Sequence, residues 1–524
     1  MATLKPEEQA TSHISRRHFM ETASLAALGT ALNSMTSEAQ APPAGPPNIL
    51  LIISDEHNAS VTGCYGNDTI QTPNLDQLAA RGVVFDNCYT NSPLCVPSRL
   101  SITSGKYPSR VGAWSNSCWL PSADYPSIAR VVQTRGYETF LTGKMHYDRT
   151  RRYGFTEIGK AVTNQDIKTG KGGRRAFDDT NVDLQAWYSR SSQFRSGDKS
   201  QVLNHDRAAL GHACDFLANR KSSASPFFLV VGFLAPHFPL VVPEEFHAPY
   251  RGRIKPPRLP LGHLEMQPLN YQHLRHGFGI VKTDPEVVIK GREYYHGLTQ
   301  WCDNNIGQVL EALAKSDAAK NTVVIYTSDH GENMGEHGLW WKNCMYDNAS
   351  RVPLIVSWPG HWQTAGRRQG ACSLVDVVQT IAAIAGASTP QDWNGNSLVP
   401  WLHDGNHAWK DLAVSEYYAH NIASGYAMLR HENYKYVYHT QPTPDFPAQR
   451  ELYDLSTDPD EFVNLASIPE QQKRLREYHA LLIKEIGEDP EKTEKRCRAD
   501  FAEGYHRSVP HDEAAPNESS SGGA

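Results

Sequence analysis

Two short, uninterrupted apolar runs constrain this chain more than any other feature. Asn48-Ile-Leu-Leu-Ile-Ile-Ser54 is followed by Asp55-Glu56-His57, and Thr322-Val-Val-Ile-Tyr-Thr-Ser328 by Asp329-His330-Gly331. A strand with one face in water alternates apolar and polar residues. A run without alternation reads as a strand covered on both faces, as in a parallel sheet flanked by helices. An acid after a strand is ordinarily an N-cap or a loop residue. Two strands that end alike, however, deliver two carboxylates to one C-terminal sheet edge, where open α/β sheets bind ligands.

Further elements fit the same plan. Pro73 to Arg81 has helical spacing and Gly82 stops it, and Val83 to Tyr89 returns as a strand, which begins a βαβ arrangement. Thr139 to Leu141 opens onto Gly143-Lys144-Met145-His146, where Lys144 and His146 would share one side of an extended segment. Phe227 to Phe233 leads into Ala235-Pro236-His237-Phe238-Pro239, and Pro353 to Ser357 supplies another strand. The expected fold class is therefore α/β, a large mixed, mostly parallel sheet sandwiched by helices. The segments 164–200 and 249–270 read as surface insertions of the kind that shape substrate pockets, with Arg174 and Arg175 as a solvated charge pair. From Trp393 the texture changes to Tyr- and Val-rich strands at Leu412–Tyr418, Tyr426–Arg430 and Tyr434–His439. An amphipathic helix then runs from Pro469 to Ile486 and stops at Gly487. A chain of 524 residues exceeds what one core usually organises. The expected division is a catalytic domain over 47–392, a smaller antiparallel sheet with one helix over 393–489, and a charged, then Ser/Gly-rich tail over 490–524.

Ser15-Arg16-Arg17-His18-Phe19-Met20, a short apolar run from Ala23 to Leu32 and Ala39-Gln40-Ala41 make residues 1–41 a twin-arginine export signal. The expected partner is the twin-arginine translocase and the expected location periplasmic or secreted. No later run reaches the roughly 20 apolar residues that span a bilayer, so no membrane anchor is expected in the mature form. A net charge of -6 argues against a nucleic-acid partner. The nine cysteines include no CxxC pair, and their spacings fix no disulfide connectivity.

One cysteine stands apart. In Leu94-Cys95-Val96-Pro97-Ser98-Arg99, with Thr103-Ser104-Gly105-Lys106 and Pro108 following, the thiol is expected at a turn ahead of a helix. Asp55, Glu56, Asp329 and His330 are candidate metal ligands, an oxygen-rich set that suits Ca²⁺ or Mg²⁺, with Mn²⁺ also tolerating the imidazole. Lys144, Lys342 and Arg99 supply fixed positive charge, and His146 and His237 can exchange protons near neutral pH.

The Cys-x-Pro-Ser-Arg segment resembles the signature of the formylglycine-dependent sulfatases. The likeness extends through Gly143-Lys144-x-His146, Pro236-His237, Ser328-Asp329-His330-Gly331-Glu332 and Gly335-Glu336-His337-Gly338 to Lys342. It implies an alkaline-phosphatase-like core and a divalent metal, calcium foremost, on Asp55, Asp329, His330 and the modified Cys95. It implies that a formylglycine-generating enzyme oxidises Cys95 to formylglycine (3-oxoalanine), in the cytoplasm before a folded protein is exported. The hydrated aldehyde would attack sulfur with one hydroxyl and expel sulfate from the covalent adduct through the other. By the same likeness Arg99 would stabilise the hydrate, His146 would assist its breakdown, Lys144 and Lys342 would grip sulfate oxygens, and His237 would lie near the leaving oxygen. Relatives often carry Asp-Asp where Asp55-Glu56 stands and Asp-Asn where Asp329-His330 stands. The Asp-His form resembles the choline-sulfatase and phosphonate-monoesterase branch. The implied activity is hydrolysis of a small sulfate monoester, of a sulfated carbohydrate or of choline. The alternatives are a phosphonate monoester or phosphodiester hydrolase, and a non-catalytic protein that binds sulfated glycans. Trp114, Trp119, Trp340 and Trp341 could stack on a sugar or enclose a quaternary ammonium.

Overall fold

The five-residue apolar stretch inside Asn48–Asp55 (β1) explains itself once its neighbours are seen. In the computed structural model, which describes residues 45–148, 150–159, 173–221, 224–358, 360–362 and 366–503, β1 lies between two parallel strands. Leu50 and Ile52 point into one apolar core with Leu203, Leu217, Leu298 and Ile306, while Ile49, Leu51 and Ile53 point into another with Val96, Leu100, Val378 and Ile381. Both faces are dry, and each such side chain contributes about 1.5–3 kcal/mol on burial. A polar residue on either face would forfeit that, hence the missing alternation. The candidate export signal lies outside the described residues.

The other strands of the large sheet are β2 (Val83–Tyr89), β3 (Glu138–Gly143), β4 (Thr156–Glu157), β5 (Phe227–Pro236), β6 (Thr322–Ser328), β7 (Arg351–Ser357) and β8 (Gly366–Ser373), in the order β8-β2-β7-β6-β1-β5-β3-β4. Only β7 runs against its neighbours β2 and β6; every other pairing is parallel, so the sheet is mixed and mostly parallel. Ser54 pairs with Ser328 and Asp55 with Pro236. The C-terminal ends of β1, β5 and β6 thus coincide at one edge.

Among the helices, α1 (Pro73–Ala80) follows β1 as the sequence predicts, and α2 (Cys95–Ser104) and α5 (Leu374–Ile384) share the second core. Gln201–Asn219 (α3) and Pro285–Lys315 (α4) cover the first.

A separate antiparallel meander comprises β9 (Leu412–Tyr417), β10 (Tyr426–His431), β11 (Tyr434–His439) and β12 (Gln449–Asp454). Helix α6 (Gln472–Ile486) covers it with Leu475, Tyr478, Leu482 and Ile486, one stripe at helical spacing. Gly487 ends the helix at φ 84°, where glycine has no Cβ penalty.

Three segments differ from expectation. Gln449–Asp454 is a fourth strand that the Tyr- and Val-rich texture does not mark; its central Glu451 is buried and accepts from His439 on the neighbouring strand and from Tyr453. Residues Pro490–Ala502 form a helix, α7, where a charged tail was expected. Three of its charges are partnered with the rest of the fold: Glu494 pairs with Arg174, Asp500 accepts from Trp114 Nε1 at 2.7 Å, and Arg496 donates to the Ser109 carbonyl at 2.9 Å. Arg174 is consequently a structural clamp rather than a solvated charge, and Arg175 pairs with Asp179. Residues 504–524 lie outside the described set.

Candidate active site

Cys95 is not displayed at a turn. It opens helix α2 directly after an extended Leu94 and is 2% exposed. Pro97 sits in the first helical turn, where the N–H it lacks would have had no intrahelical partner, so the helix can begin at the cysteine itself. Arg99, four residues on, lies one turn below Cys95 and is fully buried. The thiol therefore stands at the base of a cavity with a guanidinium beneath it.

Strand ends bring the acids. Asp55 closes β1, and Asp329 and His330 follow β6. Cys95 Sγ lies 3.2 Å from His330 Nε2 and 3.8 Å from Asp55 Oδ1; His330 Nε2 lies 3.8 Å from Asp55 Oδ1 and 3.6 Å from Asp329 Oδ1. All four groups are buried, and their donor atoms fall within 4.8 Å of one another. His330 Nδ1 faces the Gly331 carbonyl at 3.0 Å and donates to it, so Nε2 is the nitrogen turned toward the cluster and the one that would ligate once deprotonated. Two carboxylate oxygens, one imidazole nitrogen and the Cys95 side chain fit a divalent cation.

Arg99 ties the acids together, Nη2 donating to Asp55 Oδ2 at 3.1 Å and Nε to Asp329 Oδ2 at 2.8 Å. Lys144 Nζ also pairs with Asp55 Oδ2. Burial opposes a charge on Asp55 and so does Cys95, yet Lys144, His237 and Arg99 outweigh them and hold its carboxyl well below the usual range. Burial likewise works against a Cys95 thiolate, but Lys144, Lys342 and His330 together pull the thiol well below its ordinary value. The base of the cavity is a place where negative charge is stabilised.

Glu56 departs from the cluster. Its backbone is left-handed, φ 67°, fixed by its N–H donating to Asp329 Oδ1 at 3.2 Å and its carbonyl accepting from Tyr295 at 2.6 Å. The carboxylate is thereby carried to Lys342 Nζ at 3.1 Å and His237 Nε2 at 3.3 Å. It is not one of the four clustered donors, although with Asp55 and His237 it makes a second close trio. Burial, with Glu332 and Asp55 nearby, pushes the Glu56 carboxyl well above the usual range.

Lys144, His146, His237 and Lys342 line the same cavity of about 340 Å³ as Cys95. The extended geometry expected for Lys144 to His146 is absent, because β3 ends at Gly143 and His146 has φ 60°; both side chains nevertheless reach the cavity. His237 is held by Nδ1–H donating to the Phe238 carbonyl at 2.6 Å and by Nε2 accepting from Lys342 Nζ at 3.0 Å. Burial, and then Lys342, bring its imidazole down to about 4. Five of the six candidate catalytic residues thus face one space, and the sixth, Arg99, supports its floor.

Sequence reasoning missed several lining residues. Arg190 on a short helix, Phe278 at a helix end and His420 in a turn come from distant segments with no pattern that marks them, whereas Phe238 lies inside Ala235-Pro236-His237-Phe238-Pro239. Glu332 closes the Ser-Asp-His-Gly-Glu run. Its Oε1 accepts from Met334 N–H at 2.8 Å and Trp341 N–H at 2.6 Å, so it shapes the loop that presents Lys342. Of the four tryptophans, Trp341 lines the cavity, Trp340 packs with Trp187 and Phe194, Trp114 packs with Tyr418, and Trp119 faces the Arg151 guanidinium.

Comparison with known proteins agrees with this geometry. The family model described as "Sulfatase" matches residues 47–387, and one described as "N-sulphoglucosamine sulphohydrolase, C-terminal" matches residues 335–488. The chain is 28% identical to an arylsulfatase of Clostridium perfringens, over 84% of this chain and 94% of that one. It is 29% identical to a choline-sulfatase of Rhizobium meliloti, over 81% and 83%. The solved phosphonate monoester hydrolase of Agrobacterium radiobacter superposes with TM-score 0.68 over 87% of this chain and 96% of that one; at 22% identity this is a likeness of fold.

Proposed function

Since this chain belongs to the sulfatase family of the alkaline-phosphatase-like superfamily, we propose that it hydrolyses sulfate esters through a formylglycine made from Cys95, beside a divalent metal, calcium foremost. The observation that carries this reading is the four-donor cluster with Cys95 as a member, set at the floor of a cavity lined by two lysines and three histidines. Asp55, Asp329 and His330 would hold the metal together with the modified Cys95. When bound, the metal would offset charge on the sulfuryl oxygens and lower the pKa of a hydroxyl beside it, while the hydrated aldehyde would supply the nucleophile.

The chain's own residues do the rest. Arg99 fixes the spacing of Asp55 and Asp329 by donating to both. Lys144 and Lys342 place two ammonium groups against the cavity floor, where the oxygens of a singly charged sulfate ester would lie. His237, held by the Phe238 carbonyl and Lys342, would lie near the leaving oxygen, and His146 lines the same cavity as Cys95. Glu56 keeps Lys342 and His237 in place rather than joining the metal. A phosphonate monoester carries the same single charge, and the fold likeness to a phosphonate monoester hydrolase makes it the second reading.

The test is a comparison of kcat/KM for 4-nitrophenyl sulfate and 4-nitrophenyl phenylphosphonate on enzyme matured with a formylglycine-generating enzyme. The sulfate is expected to be the better substrate; a preference for the phosphonate would replace the sulfatase reading with the other. The twin-arginine signal supports maturation in the cytoplasm followed by export to the periplasm or beyond. Cell fractionation of a chain with Arg16 and Arg17 replaced by Lys should find the protein retained in the cytoplasm.

A further inference from the structure

Arg190 has an unusual position for a cation. It lies near the end of the short helix Leu184–Ser191, in the insertion between β4 and α3, and lines the same cavity as Cys95. Its guanidinium carbon is 4.2 Å from the Trp341 ring centroid, 4.7 Å from that of Phe238 and 5.4 Å from that of Phe278. Rings attract a cation through their faces, but the five N–H groups at a guanidinium's edge still need oxygen acceptors. Arg99, Arg174, Arg292 and Arg351 each hold a carboxylate. Arg190 holds none within ion-pair distance among the described residues; Glu56, Glu332 and Asp183 act on it only from farther away, and burial works against its charge.

Phe238 links this cation to the sulfate end of the cavity. Lys342 Nζ lies 5.5 Å from the centroid of the ring that Arg190 approaches to 4.7 Å, so the two cations are no more than about 10 Å apart. That is the reach of a single substituted sugar ring. A substrate whose sulfate lies at Lys342 can therefore bring a second substituent to Arg190. The same aromatic cluster could have enclosed a quaternary ammonium, but the protein's own guanidinium already fills it and would repel another cation.

We infer that Arg190 is a specificity residue that selects sulfate esters whose alcohol half carries a second anionic group, a carboxylate or a second sulfate, on the same ring as the scissile ester. The inference rests on the sulfatase reading above. It places choline sulfate, with its fixed positive charge, among the poor substrates.

Matched pairs of pyranose sulfates test it: glucose sulfates against glucuronate sulfates, and glucosamine monosulfates against disulfates, each with the ester at positions 2, 3 and 6, with choline sulfate alongside. The ratio of kcat/KM within a pair does not depend on the fraction of active enzyme, so it can be compared between wild type, Arg190→Met and Arg190→Lys even if a variant folds poorly. Loss of one hydrogen bond to a charged group corresponds to about 10- to 100-fold. Wild type should prefer the doubly anionic member of at least one pair by that factor. Arg190→Met should erase the preference mainly through KM, and Arg190→Lys should restore part of it. The carboxylate and disulfate arms tell which anion is read. No preference in any wild-type pair, a preference that survives in Arg190→Met, or choline sulfate as the best substrate would overturn the inference. Failure to hydrolyse any sulfate ester, with turnover of the phosphonate, would instead overturn the sulfatase reading on which it rests.

Discussion

Replacing Arg99 probes how the four-donor cluster is held together. The side chain is fully buried and reaches three ways at once, to Asp55 Oδ2 at 3.1 Å, to Asp329 Oδ2 at 2.8 Å and to the Lys144 carbonyl at 2.5 Å. Arg99→Met keeps the bulk but leaves two buried carboxylates without their shared cation, with Lys144 still paired to Asp55. Removing one partner of a buried pair costs about 3–5 kcal/mol, and the surviving lysine places the expected loss near the lower end. Arg99→Lys keeps the charge, yet an ammonium cannot span both carboxylates and the carbonyl; losing one charge-assisted hydrogen bond costs about 1.5–3 kcal/mol. The assay is urea unfolding of metal-stripped protein, followed by circular dichroism and fluorescence, with the order wild type, Lys, Met. Excess divalent cation should narrow the gaps, since it takes over part of the neutralisation. A metal-free Met variant within about 1 kcal/mol of wild type, or a gap that widens when the cation is added, would refute the reasoning.

Chelation should abolish turnover and a divalent cation should restore it; unfolding in urea should show about 2.7 kcal/mol of added stability at a hundredfold excess over Kd, and an unmoved midpoint would remove the metal from the account. Glu332→Ala should cost about 1–3 kcal/mol and raise KM, because the Met334 and Trp341 N–H groups lose their acceptor and Lys342 is presented by the same loop. Behind the site, Lys435 is buried between Asp347 and Glu461, and burial, against the pull of Lys435, pushes the Glu461 carboxyl up to about 8. A carboxyl raised on folding favours the folded state at low pH and loses that contribution as pH rises from 4.5 through about 8. Wild-type stability should therefore fall over this interval relative to Glu461→Gln, and parallel pH profiles would contradict it.

The fold was legible because burial on both faces leaves its mark on composition: strands β1, β5 and β6 read as apolar runs, and an acid or a histidine follows each at one edge. The site was legible through local motifs, since Cys95, Asp55, Asp329 and Lys342 each sit in a recognisable run and converge at the cavity floor. What escaped depends on partners and backbone geometry that no local pattern names. Arg174 looked solvated because its carboxylate, Glu494, lies 320 residues away on a helix that composition alone made look like a tail. Glu451 hid a strand because a buried acid looks polar until His439 is seen beside it. Glu56 needed its left-handed backbone to show which way its carboxylate turns. The cavity walls, Arg190 and Phe278 among them, follow no periodicity because their task is set by the shape of a ligand.

Peptide mass spectrometry across Leu94 to Pro108, on protein purified from the native host and shown to release sulfate, reaches the heart of the matter. The account predicts that residue 95 carries an aldehyde or its hydrate in the active fraction, and that activity scales with its occupancy. An intact thiol at Cys95 in fully active enzyme would contradict it.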